Sequence, residues 1–265
     1  MRRLLQSWGV AALVAVGSLL VASPALALAI ITGCQDIVAD RATPQYGDNN
    51  LVDNGGNRGP FGPYGWHVSY ERCFDGATIT KHVEINFQFD AALGFTAQQM
   101  ADYRAAAERN IEGIWNHAGA AVMDLTDGKL YGVAVDITTA GPFNQTVQVH
   151  TTAAQPREDM LNWNDTTTAA AMSHELGHML GLFDEYIGGA VNQFPNPTLS
   201  DDGVMGLGAL NANPVMYARY YQQYADFMNE LNHGFGDFVL VIPLPATWLL
   251  LAVALALLSF QRRRR

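Results

Sequence analysis

Two histidines and two carboxylates near residue 180 have the types and the spacing of a metal-dependent hydrolytic site. His174 and His178 are four residues apart, so on a helix their imidazoles project from the same face and can bind one metal ion. Glu175 lies beside them, where a general base can take a proton from a water molecule. Gly181 allows the chain to turn back sharply, and Asp184 can then supply a third ligand. Two imidazoles, one carboxylate and an open fourth position are the donor set of a catalytic zinc site.

The string HELGHMLGLFD, which runs from His174 to Asp184, has the pattern HExxHxxGxxD and resembles the metzincin metallopeptidases in their snapalysin-like form. The resemblance implies that His174, His178 and Asp184 are zinc ligands and that Glu175 is the catalytic base. It also implies an α+β fold of the zincin or metzincin type, with a twisted mixed sheet, a backing helix and an active-site helix. The resemblance is strong over residues 82–186.

Metzincins also have a methionine in a tight turn beneath the metal, and two residues qualify. Met205 lies among turn-forming residues in the string DDGVMG and is the preferred candidate. Met216 is followed by Tyr217, but it falls in the predicted first turn of a helix and ranks second. Tyr217 or Tyr220 is a candidate for stabilising the oxyanion, as tyrosines do in some relatives. Core packing remains the alternative for either methionine.

The surrounding sequence predicts the elements that would position these residues. Alternating apolar and polar residues predict strands, and apolar residues at helical spacing after a capping residue predict helices. A segment rich in Gly, Asn, Asp and Pro predicts loops over residues 41–66. The predicted strands are 83–89, 130–138 and 145–150. The predicted helices are 96–118, 164–180 and 213–231, and the second of them carries the motif. Thr96 is the expected N-cap of the first helix, and Asn213 followed by Pro214 is the expected start of the third. This order predicts a single α+β unit with a C-terminal helix.

Both ends of the chain have the character of sorting segments. Residues 1–29 combine a basic start, an apolar stretch and small residues, which predicts a signal peptide removed by signal peptidase; an uncleaved anchor is the alternative. Residues 243–265, PLPATWLLLAVALALLSFQRRRR, resemble the PEP-CTERM sorting signal. That resemblance implies an exosortase-type sorting enzyme as a partner, and a plain tail anchor is the alternative. We expect an exported protein at the bacterial cell envelope or surface, or outside the cell, transiently or stably anchored in the inner membrane by its C-terminal helix.

The chain between these ends is acidic and contains both cysteines. Six of the 15 Lys and Arg residues lie in the ends, which leaves 9 against 25 Asp and Glu residues and a net charge of −16. This charge excludes nucleic acid as a partner, because phosphate binding needs a basic face. In an oxidising compartment Cys34 and Cys73 predict one disulfide; the alternative is that one of them caps the metal as a thiolate in a latent form.

We divide this part into a Gly/Asn/Pro-rich N-terminal segment, residues 30–81, and a catalytic domain, residues 82–242. The N-terminal segment could be an inhibitory prosegment, a recognition module or an extension of the core, and the sequence leaves these three open.

The predicted function is that of an exported zinc metalloendopeptidase. It would hydrolyse peptide bonds of a peptide or protein substrate through a zinc-activated water, with Glu175 as general base. A non-enzymatic envelope or surface-matrix protein that retains a metzincin scaffold is one alternative, and a metal-dependent hydrolase of a non-peptide envelope amide is another. The presence of Glu175 beside intact ligands favours an enzyme.

Overall fold

The computed structural model describes residues 30–242 except 54, 117–118, 156–157, 193–200 and 234–236. The predicted signal peptide and the predicted C-terminal sorting segment lie outside the described residues. Among the residues that are described, no helix is long and apolar enough to cross a membrane.

The described chain is an α+β unit built on one mixed sheet. The strands pair in the order β1-β2-β3-β5-β4-β8, and β6 and β7 continue the sheet from β3 in a second direction. The strands are β1 (Gly33–Thr43), β2 (Tyr64–Phe74), β3 (Thr78–Phe89), β4 (Ala121–Asp124), β5 (Leu130–Thr138), β6 (Gln145–His150), β7 (Asn162–Asn164) and β8 (Phe238–Val241), and the helices are α1 (Ala97–Trp115), α2 (Ala169–Met179) and α3 (Gln222–Leu231). The strands predicted at 130–138 and 145–150 are confirmed as β5 and β6.

β3 is the centre of the sheet because different strands pair with its two halves. Residues 78–84 pair in parallel with β5, and residues 85–89 pair in parallel with β6. Alternate side chains of β3 enter the core, among them Ile79, Val83, Ile85 and Phe87. This alternation confirms the strand predicted at 83–89 and extends it back to Thr78. Residues 81 and 82 are therefore consecutive residues of one strand, and the boundary expected between them does not divide the sheet.

β1 and β2 form an antiparallel hairpin at one edge of the sheet. Cys34 lies opposite Cys73 in the register, and the two are joined by a disulfide. The predicted disulfide is confirmed, and the alternative of a thiolate that caps the metal is wrong because both sulfurs are bonded to each other. The loop predicted over 41–66 is too long, since residues 41–43 belong to β1 and residues 64–66 belong to β2.

α1 packs against β5 and α2 and confirms the helix predicted after Thr96, but it ends at Trp115, earlier than the predicted end at 118. The Thr96 hydroxyl accepts from the Gln99 N–H, and the Gln99 side chain bonds the Thr96 N–H in return, which is a capping box. Ala107, Ile111 and Trp115 form the buried face. The Trp115 indole N–H donates to the carbonyl of Ser173 at 3.1 Å, so α1 is tied directly to the helix that carries the histidines.

The motif helix begins later than the sequence predicts. Asn164 does not start it, because residues 162–164 pair with β6 as the short strand β7. Thr168 is the N-cap instead, and its hydroxyl accepts from the Ala171 N–H at 3.2 Å. The helix ends at Met179, so the predicted end at Leu180 is correct within one residue.

The last helix also begins later than predicted, and Pro214 does not open it. Val215 is extended because it pairs with the segment before Met205: its N–H donates to Asp202 at 2.8 Å, and its carbonyl accepts from the Val204 N–H at 3.1 Å. A 3₁₀ turn at Ala218–Tyr221 follows, and α3 begins only at Gln222. Met216 therefore precedes the helical segment, so the prediction that it lies in the first turn of a helix is wrong.

Candidate metal centre

The imidazoles of His174 and His178 meet the carboxylate of Asp184 in the interior of the protein. Both histidines lie on one face of α2, and all three side chains are buried. The Oδ1 atom of Asp184 lies 3.0 Å from Nε2 of His174 and 3.3 Å from Nε2 of His178. One ligating atom from each of the three lies within 4.8 Å of the others. This trio could hold a single metal ion.

The hydrogen bonds of the two histidines leave the same nitrogen of each ring for a metal. Nδ1 of His174 lies 2.8 Å from the carbonyl oxygen of Val204, and Nδ1 of His178 lies 3.0 Å from that of Leu182. A carbonyl oxygen can only accept, so each Nδ1 must carry the hydrogen. Each Nε2 then faces Asp184, and it offers its lone pair to a metal ion once it carries no proton, as in metal sites where an outer hydrogen bond fixes the tautomer.

Asp184 reaches the histidines because the chain reverses after α2. Gly181 has φ of +86°, a conformation that glycine adopts without steric cost. Oδ2 of the Asp184 carboxylate then accepts from the Ala190 N–H at 2.5 Å, and the backbone N–H of Asp184 donates to the Ala190 carbonyl at 3.0 Å. A Cβ on Gly189 would lie 2.4 Å from Oδ2 of Asp184, so only glycine fits at this position.

The three candidate ligands perturb one another strongly. Burial disfavours the charged form of each, but the charge of Asp184 and its hydrogen bonds outweigh burial and raise the pKa of His178 to about 9. The same interactions raise the pKa of His174. For Asp184 burial raises the pKa, yet the two imidazoles more than reverse this effect and hold it well below its usual range. The cluster therefore retains a proton at neutral pH, and a metal dication would have to displace that proton.

Glu175 lies next to His174 on α2, and its side chain is buried along the same cleft. Burial raises the pKa of its carboxyl, against the opposing effect of the two histidines. A carboxylate with a raised pKa is a stronger proton acceptor, which is the property needed in a general base.

Met205 packs directly against the motif helix and is fully buried. A Cβ on Gly177 would lie 2.2 Å from the Met205 sulfur, so the methionine occupies the space that this glycine leaves. Met205 lies in a turn closed by the bond from the Gly206 N–H to the Gly203 carbonyl at 2.9 Å. Its neighbour Val204 is the residue that holds His174. Met216 is only partly buried and packs at the margin of the core.

The hydroxyls of Tyr217 and Tyr220 are directed away from the candidate ligands. Tyr217 donates to Asp202 at 2.6 Å, and Tyr220 donates to Glu185 at 2.7 Å. Neither residue lines the cleft beside the histidines. Tyr64 and Tyr186 do line it, and the ring centroid of Tyr186 lies 5.9 Å from that of His174.

The candidate ligands open onto a cleft with a volume of about 820 Å³. A second cavity of about 490 Å³ shares His174, Glu175 and Tyr186 with it and is lined in part by apolar residues. The apolar residues there are Ala171, Ile187, Leu207, Ala209 and Leu210. An elongated molecule could therefore cross the site with one apolar group in the second cavity.

The N-terminal hairpin supplies residues to the site that sequence reasoning missed. The Trp66 indole N–H donates to the carbonyl of His178 at 2.9 Å, and the Trp66 ring packs against the His178 ring at 5.5 Å. The hydroxyls of Tyr46 and Tyr64 bond the backbone of the loop that holds Asp184. No periodic pattern joins residues so far apart in the chain, so no sequence signal could have found these contacts.

Comparison with protein families, with curated proteins and with solved structures finds no match for this chain.

Proposed function

We propose that this protein is a zinc-dependent endopeptidase of the metzincin type that is exported to the cell envelope. The observation that carries the proposal is the convergence of His174, His178 and Asp184 on one point beside a cleft that Glu175 also lines. A closed structural site would need a fourth protein ligand, whereas three ligands beside a cleft are typical of catalytic sites.

The donor set fits zinc. Two imidazole nitrogens and one carboxylate oxygen are zinc ligands in hydrolytic enzymes, and both imidazoles have their Nδ1 hydrogens bonded to carbonyl oxygens. When bound, zinc would polarise the substrate carbonyl and make water nucleophilic at neutral pH. Glu175 would take the proton from the attacking water and pass it to the leaving amine.

The shape of the site supports a polymeric substrate. The main cleft is open, and the adjoining cavity offers an apolar wall for a side chain. A peptide in an extended conformation would fill both. The succession of β3, α1, β5, β6 and α2, with the short strands β4 and β7 between them, is compatible with the order that the metzincin resemblance implies.

Export is supported by the disulfide between Cys34 and Cys73, because such bonds persist in oxidising compartments. We infer that signal peptidase and an exosortase-type enzyme process the two ends, on the strength of their sequences.

The test is zinc content together with cleavage of casein, with and without a chelator. We expect about one zinc per chain and chelator-sensitive cleavage. Glu175→Gln should retain zinc and lose cleavage, since it removes the base and leaves the ligands. Glu71→Gln, on β2 away from the cleft, is the matched control and should behave as wild type.

Asp184→Ala should lose zinc. Absence of zinc from the wild-type protein would overturn the proposal. Stoichiometric zinc without cleavage of any peptide substrate would instead favour a non-enzymatic scaffold or the hydrolysis of a non-peptide amide.

A further inference from the structure

The loop at residues 188–190, which holds Asp184, is itself held by Tyr46 of the N-terminal segment. The Tyr46 hydroxyl accepts from the Gly188 N–H at 2.8 Å and donates to the Gly189 carbonyl at 2.9 Å. Tyr64 adds a third bond, from its hydroxyl to the Gly188 carbonyl at 2.7 Å. One phenolic oxygen thus bonds the backbone of two successive residues, Gly188 and Gly189.

These peptide groups lead directly to the candidate ligand. Ala190 follows Gly189, and it exchanges two hydrogen bonds with Asp184, at 2.5 and 3.0 Å. Asp184 lies against the Cα of Gly189, where a side chain would collide with it. A shift of this loop would therefore move the carboxylate away from the two histidines.

Tyr46 is well suited to hold a fixed position. It is buried, and with Phe61 and Val191 it forms a small apolar cluster separate from the main core. Burial raises the pKa of its hydroxyl to about 12, so the hydroxyl keeps its proton and donates at any physiological pH.

We propose that Tyr46 is a positioning residue for the metal centre, which fixes the Asp184 carboxylate through the backbone of Gly188 and Gly189. The metal part of this inference rests on the proposed function. It also assigns the N-terminal segment a structural role in the site, which favours an extension of the core over a removable prosegment. Outer contacts of this kind typically change metal affinity 10–100-fold when they are lost.

Tyr46→Phe tests the inference because it removes only the hydroxyl. We expect its zinc dissociation constant, measured by competition with a chelator, to rise about 10–100-fold. Tyr224→Phe is the matched control: this buried tyrosine donates to the Ala134 carbonyl at 2.8 Å, away from the metal centre. Its zinc affinity should stay within about twofold of wild type, which separates positioning from a general loss of stability.

A second readout needs no metal. In the metal-free protein, hydrogen exchange of the amides of residues 188–190 should be faster in Tyr46→Phe and unchanged in Tyr224→Phe. If wild type binds no zinc, the proposed function fails but the exchange rates still decide whether Tyr46 holds the loop. Unchanged exchange, or unchanged zinc affinity in a protein that binds zinc, would overturn the inference.

Tyr64→Phe serves as a second variant should Tyr46→Phe not fold. It should weaken zinc binding less, since Tyr64 bonds only the Gly188 carbonyl. Wild-type affinity and exchange in that variant would then overturn the inference.

Discussion

Gly189→Ala should displace Asp184, the third candidate ligand, without substituting it. The added Cβ would lie 2.4 Å from Oδ2 of Asp184 and 2.6 Å from its Cβ and Cγ, whereas ordinary contacts are 3.4–4 Å. The two residues must therefore separate by about 1 Å. Hydrogen bonds of 2.5 and 3.0 Å join Asp184 to Ala190, so this separation breaks the local structure.

The size of the effect follows from the tolerance of metal coordination. Ligand distances vary by only about 0.2 Å, so a carboxylate displaced by about 1 Å no longer coordinates. Loss of an outer contact alone costs 10–100-fold in metal affinity, so we expect Gly189→Ala to lose at least about 100-fold. Overpacking of the buried loop should also lower the unfolding free energy by about 1–3 kcal/mol.

The assay is zinc affinity by chelator competition, with thermal unfolding of the metal-free protein alongside. Gly113→Ala is the matched control, because a Cβ there meets no atom within 4 Å and the residue lies inside α1. That variant should bind zinc as wild type does, and its unfolding free energy should rise by about 0.5–1 kcal/mol. Wild-type zinc affinity in Gly189→Ala would refute the reasoning.

Three further outcomes are expected. Zinc affinity should rise from pH 6 to about pH 9, because Asp184 outweighs burial and raises the pKa of His178 to about 9, so His178 must release a proton on binding. Titration calorimetry in two buffers with different ionisation enthalpies measures the released proton. A pH-independent zinc affinity would contradict this prediction. Lys81 is buried, and burial lowers its pKa to about 7. The free-energy cost of burying the charged ammonium is therefore present in full below pH 7. It decreases as the pH rises towards 10.5, the ordinary pKa of lysine. Lys81→Met should then be more stable than wild type in denaturant at pH 6 and lose this advantage by pH 10, with Lys129→Met as an exposed control; an equal advantage at both pH values would argue against this. Replacing Cys34 and Cys73 by serine should lower the unfolding free energy by up to about 4 kcal/mol, and unchanged denaturation midpoints would speak against the chain-entropy argument.

Local patterns predicted the elements that depend on local physics. Thr96 and Gln99 form a capping box within four residues, and β3 buries every second side chain, so both elements were predictable. The spacing of His174, His178 and Asp184 likewise predicted that these side chains come together, as they do. Their metal and their reaction remain predictions.

Tertiary contacts decided the remaining elements. Pro214 has the sequence character of a helix start, but pairing of Val215 with the segment at Gly203 holds the backbone extended. Much of β1 is exposed on both faces, so it has no apolar alternation for a pattern to detect. The link from Tyr46 to Asp184 passes through backbone atoms of glycines, which leave no signature in side-chain spacing.

The forked pairing of β3 has a consequence for the speed of folding. In its two parallel pairings Thr78 lies opposite Gly132 and Ile85 lies opposite Gln145. Each pairing therefore brings together residues that α1 separates in the sequence. Such non-local contacts give a high contact order, which slows the search for the native topology. During synthesis one hydrogen-bonding edge of β3 stays unpaired until β5 and β6 have emerged, so this edge is open to non-native strand pairing before the sheet is complete.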